Sequence, residues 1–103
     1  MRHFFCIVFL AALIPQARAE DGSAEAGRAY AHAVCAQCHA VQEGETYSPD
    51  RKSPSFSKIA TTPGMTGAAL FSFLQTPHFQ MPDLIIPEKD KADVVAYILS
   101  LKH

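Results

Sequence analysis

Two cysteines and a histidine lie close together at Cys35, Cys38 and His39. On a helix, residues at positions i, i+3 and i+4 share one face, so both thiols and the imidazole would point the same way. Each thiol can add to a vinyl group as a thioether, while the neighbouring imidazole can reach an iron atom. Because this spacing is the established attachment motif of c-type haem, the sequence predicts one haem c, bound covalently through both cysteines, with His39 as an iron ligand.

Three other uses of the cysteine pair agree less well with the sequence. A dithiol redox site normally follows a strand in a βαβ unit, and the chain shows no such pattern. Structural zinc needs about four ligands, and the third cysteine, Cys6, stands alone near the start of the chain. A disulfide across so short a loop would stabilise little.

The second axial position of the iron has two candidate ligands. Met81 lies in an apolar segment, and a methionine thioether as axial ligand raises the reduction potential of haem. His78 lies three residues earlier and would give a bis-histidine haem of lower potential. A methionine among apolar residues is also an ordinary core residue, so the residue pattern alone leaves ligation and packing as open alternatives.

Residues 1–19 have the layout of a secretory signal peptide. A short basic start precedes an unbroken apolar run over residues 4–14, and Ala17 and Ala19 supply the small residues of a cleavage site. A retained membrane anchor is the alternative, but eleven apolar residues are too few to span a bilayer. We therefore expect cleavage after Ala19, export to the periplasm and a mature domain over residues 20–103.

Composition limits what this mature domain can be. The chain of 103 residues is 49% apolar and carries a formal net charge of −1, so it fits one small domain and shows no basic excess for nucleic-acid binding. Removal of the signal segment takes two of the nine basic residues and none of the ten acidic ones. Domains this small often depend on a disulfide, a metal or a cofactor for stability.

The hydrophobic pattern predicts helices and no strands. Val94, Tyr97, Ile98 and Leu101 recur at helical spacing and mark one buried face near the C-terminus. Ser23 and Thr66 are suitable helix caps, Pro63-Gly64 predicts a turn, and Pro87 suits the start of a helix. We expect an all-α domain of three to four helices with long loops, the helices covering residues 23–35, 56–60, 66–76 and 87–102.

Taken together, these segments resemble the class I c-type cytochromes, the family of mitochondrial cytochrome c and its small bacterial relatives. The resemblance covers essentially all of residues 20–103 and depends on the order of its motifs. These are Gly27 eight residues before Cys35, the attachment motif, Ser53-Pro54-Ser55-Phe56, Met81-Pro82 and Asp93-Val94-Val95-Ala96-Tyr97. The implied fold is the cytochrome c fold, with helices and loops wrapped around one haem.

The resemblance also implies roles for single residues. Met81 would be the sixth iron ligand, and the Pro54 carbonyl would accept a hydrogen bond from His39. Gly27 would let the first and last helices cross closely, with Tyr97 packed at the crossing. The chain departs from the family pattern in lacking tryptophan and in carrying Ser53 where glycine is usual.

The function implied is that of a soluble periplasmic one-electron carrier and not of an enzyme. Its partners would be redox proteins that donate and accept electrons, with no nucleic acid, no membrane anchor and a monomeric state expected. The alternative is a haem protein with a displaceable sixth ligand, acting either as a gas sensor or in peroxidase-like chemistry.

Overall fold

The structure is a computed structural model that describes residues 11–12, 22–75, 81 and 85–103. Within these ranges the chain forms four α-helices and contains no strand, which confirms the all-α prediction. The helices are α1 (Ala24–Val34), α2 (Phe56–Ala60), α3 (Gly67–Gln75) and α4 (Glu88–Ser100). None of these described helices is long and apolar enough to cross a membrane. Apart from residues 11 and 12, the predicted signal segment lies outside the described residues.

Hydroxyl side chains cap the starts of α1, α2 and α3. In each case the hydroxyl accepts a hydrogen bond from the backbone N–H three residues later, which satisfies one of the unpaired donors of the first turn. The pairs, each at 3.1 Å, are Ser23 with Ala26, Ser55 with Lys58 and Thr66 with Ala69. The predicted caps at Ser23 and Thr66 are confirmed. Helix α4 was expected over residues 87–102, but Pro87 is its N-cap and the helix covers Glu88–Ser100.

The turn predicted at Pro63-Gly64 joins α2 to α3. The N–H of Met65 donates to the carbonyl of Thr62 at 3.1 Å, and Gly64 has a φ of +77°. Proline at the second position and a positive φ at the third define a type II turn, in which glycine avoids the strain that a β-carbon would bring.

Helix α1 crosses α4 at Gly27 with almost no space between the two backbones. A β-carbon at Gly27 would lie 1.9 Å from the carbonyl oxygen of Asp93 and 2.9 Å from the β-carbon of Tyr97. Both distances are far below van der Waals contact, so only glycine fits. The close crossing expected from the resemblance is confirmed.

Helix α4 supplies the centre of the hydrophobic core. Its predicted buried face is confirmed, since Val94, Tyr97 and Ile98, and Leu101 just beyond its end, are all 5% exposed or less. The cluster continues through α1, α2 and α3, with Ala31, Phe56 and Leu70 as their buried members. The three other helices therefore take their positions from α4.

A buried carboxylate also joins α4 to the start of α1. The backbone N–H of Ser23 donates to Oδ1 of Asp93 at 2.8 Å, and Nζ of Lys89 lies 3.2 Å from Oδ2. The Ser23 N–H, and more weakly the Lys89 ammonium, hold the pKa of Asp93 below its ordinary value against the opposing effect of burial. The charged carboxylate therefore stabilises the folded state.

We predict that Gly27→Ala destabilises the protein, because its methyl group would force α1 away from Asp93. Overpacking of this kind costs about 1–3 kcal/mol, measurable as a lower midpoint of chemical denaturation. Gly67→Ala is the matched control, because a β-carbon there meets only the Leu99 and Val95 side chains at 3.5 and 3.6 Å. Equal stability of the two variants would contradict the account of the crossing.

We predict that Asp93→Asn lowers the free energy of unfolding at pH 7 by about 1–2 kcal/mol, because the amide oxygen can still accept from the Ser23 N–H but a hydrogen bond to a neutral group is weaker by about that amount than one to a charged group. Because the pKa of Asp93 is lowered in the folded state, its contribution is complete above the unfolded pKa of about 4 and is lost as the pH falls through the folded pKa. The difference between wild type and variant should therefore shrink from pH 7 to pH 3. Asp90→Asn controls for the loss of one negative charge on α4, and an Asp93→Asn difference independent of pH would contradict the prediction.

Candidate haem-binding site

The attachment motif begins where α1 ends. The expectation of one α-helix through Cys35 is wrong, because α1 stops at Val34 and a 3₁₀ turn covers Cys35–Gln37. The N–H groups of Cys38 and His39 both donate to the carbonyl of Cys35, at 3.2 and 2.9 Å. Both bonds satisfy the Cys35 carbonyl just beyond the end of α1, as is usual where an α-helix ends in a 3₁₀ turn.

The two thiols occupy different environments and form no disulfide. Cys35 is buried and Cys38 is exposed. Burial raises the pKa of the Cys35 thiol to about 11, so this sulfur carries its proton at neutral pH. One free thiol therefore faces the core and the other is open to solvent. This pair fits a flat group that packs against the core and is bonded to the protein through its own edge.

The ring of His39 is held by the backbone of Pro54. Its Nδ1 lies 2.6 Å from the Pro54 carbonyl oxygen, the contact that the resemblance implied. A carbonyl can only accept a hydrogen bond, so Nδ1 carries a proton, and in the neutral ring Nε2 keeps its lone pair. This is the arrangement of a metal-ligating histidine, in which the second nitrogen fixes the tautomer and the direction of the ring. The ring of Phe56 packs nearby, with 5.4 Å between the two ring centroids.

Three hydrogen bonds hold the chain that follows His39. The N–H of Ala40 donates to Oγ of Ser48 at 3.0 Å, and the carbonyl of Ala40 accepts from the N–H of Phe56 at 2.9 Å. The hydroxyl of Tyr97 donates to the carbonyl of Val41 at 2.5 Å. The segment after His39 is therefore fixed to the loop, to α2 and to α4.

A turn formed by residues 50–53 presents the Pro54 carbonyl. The carboxylate of Asp50 accepts from the N–H of Lys52 at 3.0 Å and from the hydroxyl of Ser53 at 3.1 Å. The backbone N–H of Asp50 donates to the carbonyl of Cys38 at 3.2 Å. The Lys52 N–H and the Ser53 hydroxyl, with a smaller contribution from the nearby His39 imidazole, lower the pKa of Asp50.

Met81 is a half-buried loop residue. Its rival, His78, and the neighbouring Pro82 lie outside the described residues. Ile86, five residues on, is 3% exposed, whereas Ile85 is 91% exposed. The segment before α4 therefore presents one apolar side chain to the core and another to the surface.

The donor set fits haem c better than a metal ion bound by protein alone. Among the described residues, no group of three or more His, Cys, Asp and Glu side chains could hold a metal ion. Structural zinc therefore finds no ligand set in this part of the chain. Cys35 and Cys38 could supply two thioether bonds to a haem, and Nε2 of His39 could supply one iron ligand.

Comparison with known proteins agrees with this site. The family model for cytochrome c matches residues 24–102. Cytochrome c-552 of Bradyrhizobium diazoefficiens is 35% identical over 68 residues, which cover 66% of this chain and 64% of that protein. Cytochrome c of Tetrahymena pyriformis is 30% identical over 106 aligned positions, covering 84% of this chain and 96% of that protein. No solved structure gives a significant match.

The described part of the chain is all-α, and the family model implies a protein that carries covalently attached haem. The chain belongs to the cytochrome c family, whose members carry haem c and transfer electrons.

Sequence reasoning missed several residues that support the site. Ser48, the Asp50 side chain and the hydroxyl of Tyr97 were not expected to hold the chain around His39. An acidic residue three positions before a serine and next to proline is a turn signal that could have indicated Asp50. The Tyr97 contact joins residues 56 positions apart, and no local pattern announces it.

Proposed function

We propose that the protein is a periplasmic one-electron carrier, with haem c attached through Cys35 and Cys38 and with His39 and Met81 as axial ligands. The observation that carries this proposal is the His39 ring, whose Nδ1 is bonded to the Pro54 carbonyl at 2.6 Å beside two free thiols. Haem supplies an iron that gains and loses one electron between its ferrous and ferric states.

The side chains around the site would tune this exchange. The Pro54 carbonyl increases the basicity of His39, which favours the more positive ferric state. The neutral thioether of Met81 acts in the opposite direction and raises the reduction potential. With both axial positions filled by side chains, no substrate reaches the iron, which supports a carrier and not an enzyme.

The apolar surroundings would keep water away from the iron. Phe56 is 4% exposed and packs against His39, while Ile86 is 3% exposed in the segment that follows Met81. Low polarity near the iron strengthens the electrostatic effect of each ligand. A rigid and dry site of this kind needs little rearrangement when one electron arrives or leaves.

The proposed function also includes export of the protein to the periplasm and exchange of electrons with other redox proteins. Residues 1–19 would direct secretion and be removed after Ala19, leaving the domain of residues 20–103 as a monomer in the periplasm. Its seven basic and ten acidic side chains disfavour strongly acidic partners. Redox proteins would donate and accept its electrons through small, short-lived interfaces.

We predict that Met81→Ala abolishes the methionine-to-ferric charge-transfer band of the oxidised, haem-loaded protein. The physical reason is loss of the iron–sulfur bond, which should also lower the reduction potential, because water or another side chain replaces the thioether. The optical spectrum of purified protein, matured with haem in the periplasm, measures this directly.

His78→Ala is the matched control and should keep the band. Loss of the band in His78→Ala but not in Met81→Ala would contradict the assignment of the ligand. Carbon monoxide binding to the reduced wild type at neutral pH would favour the sensor alternative, since a carrier with two firmly bound ligands excludes it. A five-coordinate, high-spin ferric spectrum would favour peroxidase-like chemistry.

A further inference from the structure

His39 belongs to a closed cycle of covalent and hydrogen bonds. From Cys38 the chain continues to His39, whose Nδ1 donates to the Pro54 carbonyl. Pro54 follows Ser53, whose hydroxyl donates to the Asp50 carboxylate, and the Asp50 N–H returns to the Cys38 carbonyl. Because each member restrains the next, the position of the Pro54 carbonyl depends on the contact between Asp50 and Ser53.

The contact between Asp50 and Ser53 is more than a backbone turn. The N–H of Ser53 also donates to the Asp50 carbonyl at 3.1 Å, a backbone bond that does not depend on the serine side chain. The hydroxyl adds a second bond, at 3.1 Å to Oδ2, which removes the remaining freedom of the residue just before Pro54. Both residues are half-buried and the bond itself is partly buried, so water competes for it less than it would on an open surface.

The negative charge of Asp50 and the position of the Pro54 carbonyl should both lower the reduction potential. The Asp50 carboxylate belongs to the same set of bonds as the His39 imidazole, because the Asp50 N–H donates to the carbonyl of Cys38, the residue just before His39. A negative charge near the ligand favours the ferric state, as does a firm hydrogen bond from Nδ1. Loss of either effect should raise the reduction potential.

We propose that Asp50 and Ser53 are positioning residues that hold the Pro54 carbonyl on His39 and thereby lower the reduction potential of the bound haem. This inference rests on the proposed ligation of haem by His39. The hydrogen bond from the Ser53 hydroxyl to Asp50 would be absent with glycine, the usual residue at position 53.

The test compares reduction potentials of the haem-loaded protein and four variants. Ser53→Ala removes the hydroxyl, Ser53→Thr keeps it, Asp50→Asn removes the charge, and Glu45→Gln removes another carboxylate from an exposed part of the same loop. In Ser53→Ala the equilibrium constant for electron exchange with a redox mediator should change at least about threefold in favour of reduced haem. This corresponds to a rise in reduction potential of about 28 mV, at 59 mV per tenfold change. Asp50→Asn should shift further, while Ser53→Thr and Glu45→Gln should stay near the wild type.

Exchange of the His39 Nδ1 proton with solvent, followed by NMR in the reduced protein, gives a second readout. It should be faster in Ser53→Ala than in Ser53→Thr, because the carbonyl is held less firmly. Unchanged potential and exchange in Ser53→Ala would overturn the inference, even if that variant were less stable. An equal shift in Glu45→Gln and Asp50→Asn would also overturn it, because net charge alone would then account for the effect.

If Asp50→Asn fails to mature, the two Ser53 variants decide the matter by themselves. The haem content and optical spectrum of the wild type distinguish failure of this inference from failure of the proposed function. A wild type without covalent haem or without low-spin axial ligation would refute the proposed function. A normal wild-type spectrum with unaltered Ser53→Ala refutes only the inference.

Discussion

The close crossing of α1 over α4 is the constraint on which the rest of the structure depends. At Gly27 the two backbones approach so closely that a β-carbon would overlap the Asp93 carbonyl. One turn further along α4, Tyr97 donates to the Val41 carbonyl, beyond the attachment motif. A single helix thus holds the chain both before and after Cys35–His39, so the motif has little freedom even though its own backbone is only a short 3₁₀ turn.

Because α1 and α4 fix both ends of the segment around Cys35–His39, weak local contacts are enough to orient the His39 ring. The bond between His39 Nδ1 and the Pro54 carbonyl selects one tautomer and leaves Nε2 available. Its acceptor belongs to a turn whose side-chain bonds, between Asp50 and Ser53, cost little to form because the ends of the loop are already fixed. In the proposed haem site, the same elements that stabilise the domain would also set how strongly the imidazole donates electrons to the iron.

Local chemistry explains which features could be predicted from the sequence. Helix caps at Ser23 and Thr66, the turn at Pro63-Gly64 and the buried face of α4 depend on neighbouring residues, and the structure confirms them. The role of Gly27 came from the resemblance, because no local pattern shows which glycine lies at a helix crossing.

The features that were missed or wrong depend on distant contacts. The bond from the Ser23 N–H to Asp93 spans 70 residues, and no periodicity reports it. The helix was expected to continue through Cys35, but it ends at Val34, and the carbonyl of Cys38 is bonded to the distant N–H of Asp50.

Covalent haem at Cys35 and Cys38 is tested most directly by the intact mass of protein purified from a host that matures c-type cytochromes. The expected mass is that of residues 20–103 plus one haem, retained after denaturation. A mass of polypeptide alone, with any haem released by denaturation, would contradict the account.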